Sequence, residues 1–189
     1  MLFRSEPSET RIGDANSIRE FVTINRGTEG GGMVTSIGNT NLLMAYVHVA
    51  HDVRIGNSTI LANGVTFAGH VIVEDFANIG GLSAIHQFCR IGRHAMVGSY
   101  SVIKQDVLPF SITATNHQSE VYGANKVGLE RSGLGPETIE PLQNAFRMLT
   151  RAGLNTTQAL SRIEEEIQQT DEVQQVLDFI RTSRNGVIK

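Results

Sequence analysis

Five of the six histidine residues in this 189-residue chain fall between His48 and His94. Imidazole titrates near neutral pH, so a histidine can accept a proton from a hydroxyl group during catalysis. Three histidines that converge can also hold a zinc ion. Whether any of them meet depends on the fold, so the elements that would position them come next.

A six-residue period dominates the first 110 residues. Large apolar side chains occupy twelve successive positions six residues apart, namely Ile37, Leu43, Val49, Ile55, Leu61, Phe67, Val73, Ile79, Ile85, Ile91, Val97 and Ile103. This period fits neither an amphipathic helix nor a continuous strand. Small, polar or β-branched residues stand two positions earlier, and glycine or alanine often follows. Each unit therefore predicts a short strand ending in a tight corner, where glycine permits backbone angles that other residues resist.

Three such units close one triangular coil of eighteen residues. Residues eighteen apart should then lie above one another at roughly 4.8 Å, the spacing of paired strands. This rule places Asp52 under His70 and groups four polar side chains on one edge, namely His51, His70, His86 and Gln87. Converging polar side chains commonly form a pocket, so this edge is a candidate site. His94 falls outside the column and is expected to be structural, while the direction of His48 stays open.

The same rhythm begins earlier, at Ile12, Ile18 and Ile24, and is interrupted by a glycine-rich segment before it resumes in phase at Ile37. We interpret residues 27–34 as a projecting loop and not as a domain linker.

After Phe110 the period stops and helical spacing begins. We expect a β-helix over residues 1–115, then a connecting segment and a small C-terminal α-helical domain over residues 116–189. The predicted helices run from Pro136 to about Gly153, from a cap at Asn155 or Thr156, and from about Asp171 to near Asn185-Gly186. We expect them to pack on the coils or on one another.

Composition excludes several classes of function. The net charge is −3 and is spread evenly, so no nucleic-acid surface is expected. The single cysteine, Cys89, occupies an inward position and indicates a buried thiol in a reducing cytoplasm. There is no apolar run of eighteen residues, and no charged start followed by an apolar stretch, so the sequence predicts a cytoplasmic protein without a membrane span.

Several segments together resemble the UDP-N-acetylglucosamine O-acyltransferase family, over a match running from about Glu6 to the C-terminus. These segments are Asn41-Leu42-Leu43-Met44-Ala45-Tyr46-Val47-His48-Val49-Ala50-His51-Asp52, Leu61-Ala62-Asn63, Ala68-Gly69-His70-Val71, Ile79-Gly80-Gly81, Ile85-His86-Gln87-Phe88-Cys89 and Gly123-Ala124-Asn125. The resemblance implies a left-handed parallel β-helix, and a homotrimer with active sites in clefts between subunits. No cofactor and no metal ion are expected.

The reaction implied by the resemblance is the first step of lipid A synthesis. An (R)-3-hydroxyacyl group moves from acyl carrier protein to the 3-hydroxyl of UDP-N-acetylglucosamine. His51 would be the general base, Asp52 would orient and polarise it, and the Gly69 amide would stabilise the oxyanion. Adjacent side chains on an ideal strand point to opposite faces, so the His51–Asp52 pairing requires a corner or a kink.

The resemblance also implies a set of substrate-binding residues: His48, His70, His86, Gln87, Ser99, His117, Asn125 and Arg131. The planar guanidinium of Arg131 would suit a diphosphate. Ser99 stands where the family often has a glycine that helps limit the reach of the acyl chain. We therefore expect a preference for somewhat shorter chains than glycine-bearing relatives accept.

The sequence departs from the family in ways that leave alternatives open. The family normally has about four further coils ahead of Met1, and Leu2 stands where it usually carries a substrate-contacting lysine. The chain could therefore be a catalytically impaired scaffold remnant. A related N-acyltransferase shares hexapeptide coils but carries a uridine-binding domain. A γ-class carbonic anhydrase also has hexapeptide coils and holds zinc with three histidines from two subunits, which His51, His70 and His86 would imitate.

Overall fold

A computed structural model describes residues 7–115, 119–151 and 153–189; of Arg151 it describes the backbone alone. His117 and Leu2 therefore lie outside the described residues. The predicted left-handed parallel β-helix followed by helices is confirmed, as a parallel β-solenoid that continues into a helical C-terminal segment.

Fifteen short strands build five coils of the solenoid. They are β1 (Glu9–Ile12), β2 (Ser17–Ile18), β3 (Thr23–Ile24), β4 (Val34–Ile37), β5 (Leu42–Leu43), β6 (His48–Val49), β7 (Arg54–Ile55), β8 (Ile60–Leu61), β9 (Thr66–Phe67), β10 (Ile72–Val73), β11 (Asn78–Ile79), β12 (Ala84–Ile85), β13 (Arg90–Ile91), β14 (Met96–Val97) and β15 (Val102–Ile103). They continue into β16 (Ser111–Thr115) and β17 (Ser119–Ala124).

The strands form three faces. Face A contains β1, β4, β7, β10 and β13; face B contains β2, β5, β8, β11, β14, β16 and β17; face C contains β3, β6, β9, β12 and β15. Neighbours within a face are parallel, except for the antiparallel pair β16–β17. We call the turn from a face C strand to the next face A strand corner CA, and name corners AB and BC in the same way.

The hexapeptide pattern correctly predicted the core. All twelve large apolar residues of the period are at most 3% exposed, and the residues two positions before them are buried as well. Strand pairing joins residues eighteen apart, as in His48↔Thr66 and Ala84↔Val102. Burying each large apolar side chain contributes about 1.5–3 kcal/mol to folding.

The prediction that corner glycines supply unusual backbone angles was wrong. The left-handed residue stands three positions after the buried apolar one and is rarely glycine; examples are Asp52 (φ 62°), His70 (φ 62°) and Phe88 (φ 66°). The glycine directly after the apolar residue is needed for space instead. A Cβ on Gly38 would lie 2.5 Å from the carbonyl oxygen of Gly56 in the next coil. These glycines therefore permit close stacking of successive coils.

The glycine-rich interruption is an enlarged corner CA of the first described coil. Between the first two coils the paired residues are 25 apart, as in Ile12↔Ile37, instead of eighteen, so the corner contains seven extra residues. It includes one turn of 3₁₀ helix, Glu29–Gly31. Gly27 donates its N–H to the Glu9 carbonyl (3.1 Å) and Glu9 donates to the Met33 carbonyl (2.9 Å). After the loop the six-residue period resumes in phase, as predicted. The loop itself folds back on the solenoid instead of projecting.

The C-terminal segment contains four helices: α1 (Lys126–Arg131), α2 (Pro136–Arg151), α3 (Thr156–Glu166) and α4 (Asp171–Thr182). The last three match the predicted starts, and Asn155 caps α3 in a capping box with Gln158. The sequence analysis missed α1, a short helix with a glycine in it, and β17. Helix α4 ends before the predicted Asn185-Gly186.

The last helix is fastened to the fifth coil, as expected for helices that pack on the solenoid. The Arg90 guanidinium lies 3.7 Å above the Phe179 ring and donates to the Phe179 carbonyl (3.1 Å). Asn185 donates from Nδ2 to the Phe88 carbonyl (2.6 Å). Strand β17 extends face B beyond residue 115, so the division into two domains at that residue stays a prediction. Among the described helices, none is long and apolar enough to cross a membrane.

Two residues expected to be structural are buried. Cys89 is 1% exposed, and burial raises the pKa of its thiol to about 12. His94 lies at corner AB, stacked on Phe76 (4.6 Å between ring centres) and against Phe110 (5.8 Å). Burial, aided by the charge of Arg93, lowers the pKa of His94 to about 4, so its ring is neutral at pH 7.

The neutral His94 predicts an acid-dependent loss of stability. An unfolded-chain histidine titrates near pH 6.5, whereas folded His94 titrates near 4. As pH falls through this window the unfolded chain binds the proton first, so the folded state loses stability, by about 2 kcal/mol at most at pH 5. We expect His94→Phe to lose less stability between pH 7 and pH 5 than the wild type in urea unfolding. His86→Phe, at an exposed histidine, is the control; identical pH dependence in all three proteins would contradict the expectation.

Candidate active site

The candidate site is built at corner CA, where three successive coils place one polar group above another. His51 and Asp52 follow β6, and Gly69 and His70 follow β9. The left-handed conformation of Asp52 (φ 62°) turns its side chain back toward its neighbour. The predicted need for a corner is thereby confirmed, because His51 Nδ1 lies 2.8 Å from Asp52 Oδ2.

The contact between these side chains selects the tautomer of the neutral histidine. A carboxylate can only accept a hydrogen bond, so Nδ1 of His51 carries a hydrogen; in the neutral ring Nε2 then has the free lone pair. The His51 side chain is 44% exposed, whereas that of Asp52 is completely buried. The arrangement can therefore accept a proton from a bound hydroxyl at Nε2 and stabilise the resulting imidazolium through the carboxylate.

The loop that enlarges the corner below supplies further donors to Asp52. Thr28 donates its N–H to Oδ1 (2.8 Å) and its hydroxyl to Oδ2 (2.6 Å). Thr35 Oγ1 accepts the Asp52 N–H at 2.8 Å. Burial favours the neutral acid, but the two Thr28 bonds, the His51 bond and the charge of His70 together lower the pKa of Asp52 below its ordinary value. The carboxylate is thus ionised at neutral pH.

Two glycines leave the room that this pair occupies. A Cβ on Gly31 would overlap the carboxyl group of Asp52, and a Cβ on Gly69 would lie 2.6 Å from Cε1 of His51. Neither glycine has a positive φ. Both are therefore required for close approach: Gly31 lets the loop reach the carboxylate, and Gly69 lets the imidazole lie across the next coil.

The second histidine of the predicted edge joins the pair. The His70 ring meets the His51 ring edge-on with ring centres 5.2 Å apart, and its other side stacks on Phe88 at 4.7 Å. Nε2 of His70 is 3.8 Å from Asp52 Oδ2. His70 is therefore held by aromatic packing beside the carboxylate, and it adds to the electrostatic stabilisation of that charge.

The remaining histidines of the region line a groove next to the corner. His48 and His86 flank a groove of about 380 Å³ over face C, with Ala50, Ala68 and Ala84 between them. Nδ1 of His48 lies 2.7 Å from Thr23 Oγ1, so the side chain of His48, whose direction the sequence left open, lies over face C. His86 is exposed, with Nδ1 3.3 Å from the Gln87 carbonyl oxygen, and Gln87 is exposed as well.

Other predicted site residues lie elsewhere in the chain. Ser99 is exposed at corner BC. Asn125 caps α1 and donates from Nδ2 to the His94 carbonyl (3.1 Å), so it lies at corner AB, and Arg131 ends the same helix in an exposed position. A single chain therefore does not gather these three residues around His51. His117 falls outside the described residues.

Within one chain, His51, His70 and His86 do not converge on a zinc site, because His86 lies over face C. Within the described residues, the metal-binding atoms that do converge, within 4.8 Å of one another, belong to His51, Asp52 and His70. Both oxygens of Asp52 already accept hydrogen bonds from Thr28, and Oδ2 also contacts His51. A cation would have to displace these donors.

Sequence reasoning missed Thr28, Gly31, Thr35 and Phe88. The eighteen-residue rule fails for Thr28, which lies 24 residues before Asp52, because the loop shifts the count. A usable signal was nonetheless present. The interruption of the period falls at corner CA, in the coil directly below the His51–Asp52 corner. An enlarged corner in that position must lie against its neighbour in the same column.

Comparison with known families defines the class of protein. Residues 35–69 match the family described as bacterial transferase hexapeptide (six repeats), in agreement with the coils seen here. Residues 106–188 match the second domain of UDP-N-acetylglucosamine O-acyltransferase. The solenoid is thus that of a hexapeptide-repeat transferase, and its helical segment belongs to a particular branch of that class.

Relatives along the whole chain identify the branch. Acyl-[acyl-carrier-protein]–UDP-N-acetylglucosamine O-acyltransferase of Alkalilimnicola ehrlichii is 44% identical over 99% of this chain and 72% of its own length. The protein of the same name from Xylella fastidiosa is 43% identical, over 99% and 71%. This chain belongs to the UDP-N-acetylglucosamine O-acyltransferase family. The family is one of O-acyltransferases, which favours this class over the N-acyltransferase and carbonic anhydrase alternatives.

Solved structures agree with this assignment. UDP-N-acetylglucosamine acyltransferase from Bacteroides fragilis matches with a TM-score of 0.93 and 40% identity, over 99% of this chain and 72% of that one. The enzyme from Francisella novicida matches with a TM-score of 0.91 and 38% identity, over 96% and 66%. The resemblance noted in the sequence is therefore confirmed at the level of family and fold.

The two adjacent loop glycines give a matched test of the site geometry. We expect Gly31→Ala to destabilise the protein by about 1–3 kcal/mol, because the methyl group would overlap the Asp52 carboxyl group. Among the described residues, apart from its chain neighbours, no atom lies within 4 Å of a Cβ on Gly30, so Gly30→Ala should change stability by less than about 0.5 kcal/mol. Urea unfolding measures both. Equal stabilities would mean that the loop does not pack on Asp52.

Proposed function

We propose that this chain transfers an (R)-3-hydroxyacyl group from acyl carrier protein to the 3-hydroxyl of UDP-N-acetylglucosamine, the first step of lipid A biosynthesis, in the cytoplasm. The observation that carries the proposal is the His51 imidazole bonded through Nδ1 to the buried carboxylate of Asp52. Family membership supports the choice of substrates, because the relatives are named for an acyl carrier protein and for UDP-N-acetylglucosamine.

In the proposed reaction, Nε2 of His51 removes the proton from the 3-hydroxyl of the sugar. The oxygen of that hydroxyl attacks the carbonyl carbon of the thioester at the same time. The carbon–sulfur bond then breaks, and the proton on the imidazolium passes to the departing thiolate of the carrier. Asp52 remains ionised throughout, as its lowered pKa allows, and stabilises the imidazolium. A positioned base of this kind typically contributes 10²–10⁴-fold to the rate.

The Gly69 amide is proposed as the oxyanion donor. At the same position of corner AB, the N–H groups of Asn39, Asn57 and Arg93 each donate to a side-chain oxygen, at 2.7 to 2.9 Å. No hydrogen bond from the Gly69 N–H is present among the described residues. Its amide is therefore available at a point that the His51 ring directly overlies.

The substrates would occupy the corner and the face C groove. We propose His48, His70, His86 and Gln87 as donors to the sugar nucleotide and the acyl chain. His70 packs on His51, His48 and His86 line that groove, and Gln87 directly follows His86. Ser99 keeps its proposed part in limiting chain length. No cofactor or metal ion is included, since the carboxylate of Asp52 already accepts its full set of protein donors.

A homotrimer is part of the proposal. Asn125, Arg131 and His117 would then act in the active site of a neighbouring subunit. A ladder of exposed apolar side chains along corner BC supports a subunit interface; Phe21, Tyr46, Leu82 and Tyr100 are between 57% and 72% exposed. Phe21 and Tyr46 stack on each other with ring centres 5.0 Å apart. Contiguous apolar surface of this kind typically marks a protein interface.

We expect Leu82→Asp to weaken the trimer, because a carboxylate in the ladder would be desolvated on association. Sedimentation equilibrium at micromolar concentration should show a lower mass than for the wild type, whereas Leu82→Met should keep the wild-type mass. A wild-type monomer, or an unaffected Leu82→Asp trimer, would count against this interface.

The catalytic proposal is tested by a transfer assay with UDP-N-acetylglucosamine and hydroxyacyl carrier protein. We expect His51→Ala to lower kcat by 10²–10⁴-fold. The variant should still unfold cooperatively, at a somewhat lower midpoint because the buried carboxylate of Asp52 loses a donor, so loss of turnover can be told apart from loss of fold. Equal turnover by wild type and variant would end the assignment of His51 as the base. Absence of product from a folded wild-type chain would favour the scaffold remnant.

A further inference from the structure

We propose that Thr28 is a positioning residue for the His51–Asp52 pair, an inference that rests on the proposed role of His51 as the base. Thr28 does not touch the reacting atoms. It acts through the carboxylate of Asp52, to which it donates two hydrogen bonds from a loop that belongs to the coil below.

The two oxygens of Asp52 are held differently. Oδ1 accepts the Thr28 N–H, while Oδ2 is shared between the Thr28 hydroxyl at 2.6 Å and His51 Nδ1 at 2.8 Å. The oxygen that orients the imidazole is thus the one that the Thr28 hydroxyl contacts. Since the Asp52 side chain is completely buried, water cannot replace a donor lost there.

The local backbone keeps the Thr28 hydroxyl free for this task. Thr28 is the N-cap of the 3₁₀ turn, a position where threonine usually bonds a helical N–H, yet its side chain makes no capping bond. Its carbonyl instead accepts the N–H groups of Gly31 (3.0 Å) and Met33 (2.9 Å), which closes the loop around it. The hydroxyl is therefore directed to Asp52 by a loop whose own hydrogen bonds do not require it.

Thr28→Val tests the inference because valine keeps the size of the side chain and the backbone donor but removes the hydroxyl. We expect kcat to fall about tenfold, or about 1.4 kcal/mol in barrier, with KM for both substrates unchanged within about twofold. The acid side of the pH–rate profile should differ from that of the wild type, since Asp52 loses a donor that favours its charged form and its carboxylate acts directly on His51. Thr28→Ser restores the hydroxyl and should return kcat to within about twofold of wild type.

Two controls separate positioning from general damage. Thr150→Val removes a hydroxyl that donates to a helical carbonyl, that of Phe146, and should leave kcat unchanged. In the Asp52→Asn background, Thr28→Val should have little further effect, because the group through which it acts is already altered. Additive losses, or equal losses in Thr28→Val and Thr28→Ser, would indicate a structural role alone and overturn the inference.

A readout that does not need turnover keeps this inference distinct from the proposed function. The ¹⁵N chemical shifts of the His51 ring report its tautomer. We expect a predominantly Nδ1-protonated ring in the wild type and a mixture of tautomers in Thr28→Val. If the wild type makes no product, or His51→Ala matches it, the proposed function fails. If the tautomer, kcat and pH profile of Thr28→Val all equal those of the wild type, the positioning role of Thr28 fails.

Discussion

Each coil of the solenoid hydrogen-bonds to the next through its backbone, and this pairing determines what every corner can contain. The N–H of His48 donates to the carbonyl of Val65, and that of Ala68 to the carbonyl of Ile85, at 2.9 and 3.0 Å. Because these bonds leave no freedom of register, a side chain at one corner has its neighbours above and below decided by the chain eighteen residues away. The candidate site is one such column at corner CA.

The column brings a buried charge next to an exposed base. A carboxylate without exposure is costly unless donors surround it, and Asp52 receives them from Thr28 and His51. The loop, the corner and the next coil all contribute to this one group: Gly31 lets the loop approach, and His70 adds favourable charge. The enlarged corner of the first coil, which breaks the repeat, thus completes the site in the coil above.

The sequence predicted much of this arrangement. The hexapeptide period correctly indicated the buried positions from Ile37 to Ile103 and the solenoid itself, because in a coil of constant length the inward positions recur at constant spacing. The eighteen-residue rule brought His51 and His70 together. The rule missed Thr28, since the insertion in the loop changes the count of residues per coil. It also placed His86 on the same edge as His51, although His86, one position before Gln87, faces the groove on face C.

What the sequence determined by itself is the repeat, the family and the set of polar residues near corner CA, since these depend on spacing and residue type along the chain. Only the tertiary structure decided which oxygen of Asp52 meets which donor, that the glycines serve close approach, and that Asn125 joins His94 instead of His51. Such contacts depend on backbone angles at the corners and on how a loop folds back. The physical reason is that a shift of one position along a coil turns a side chain to another face, and that a φ of +62° at Asp52 turns its side chain back toward His51.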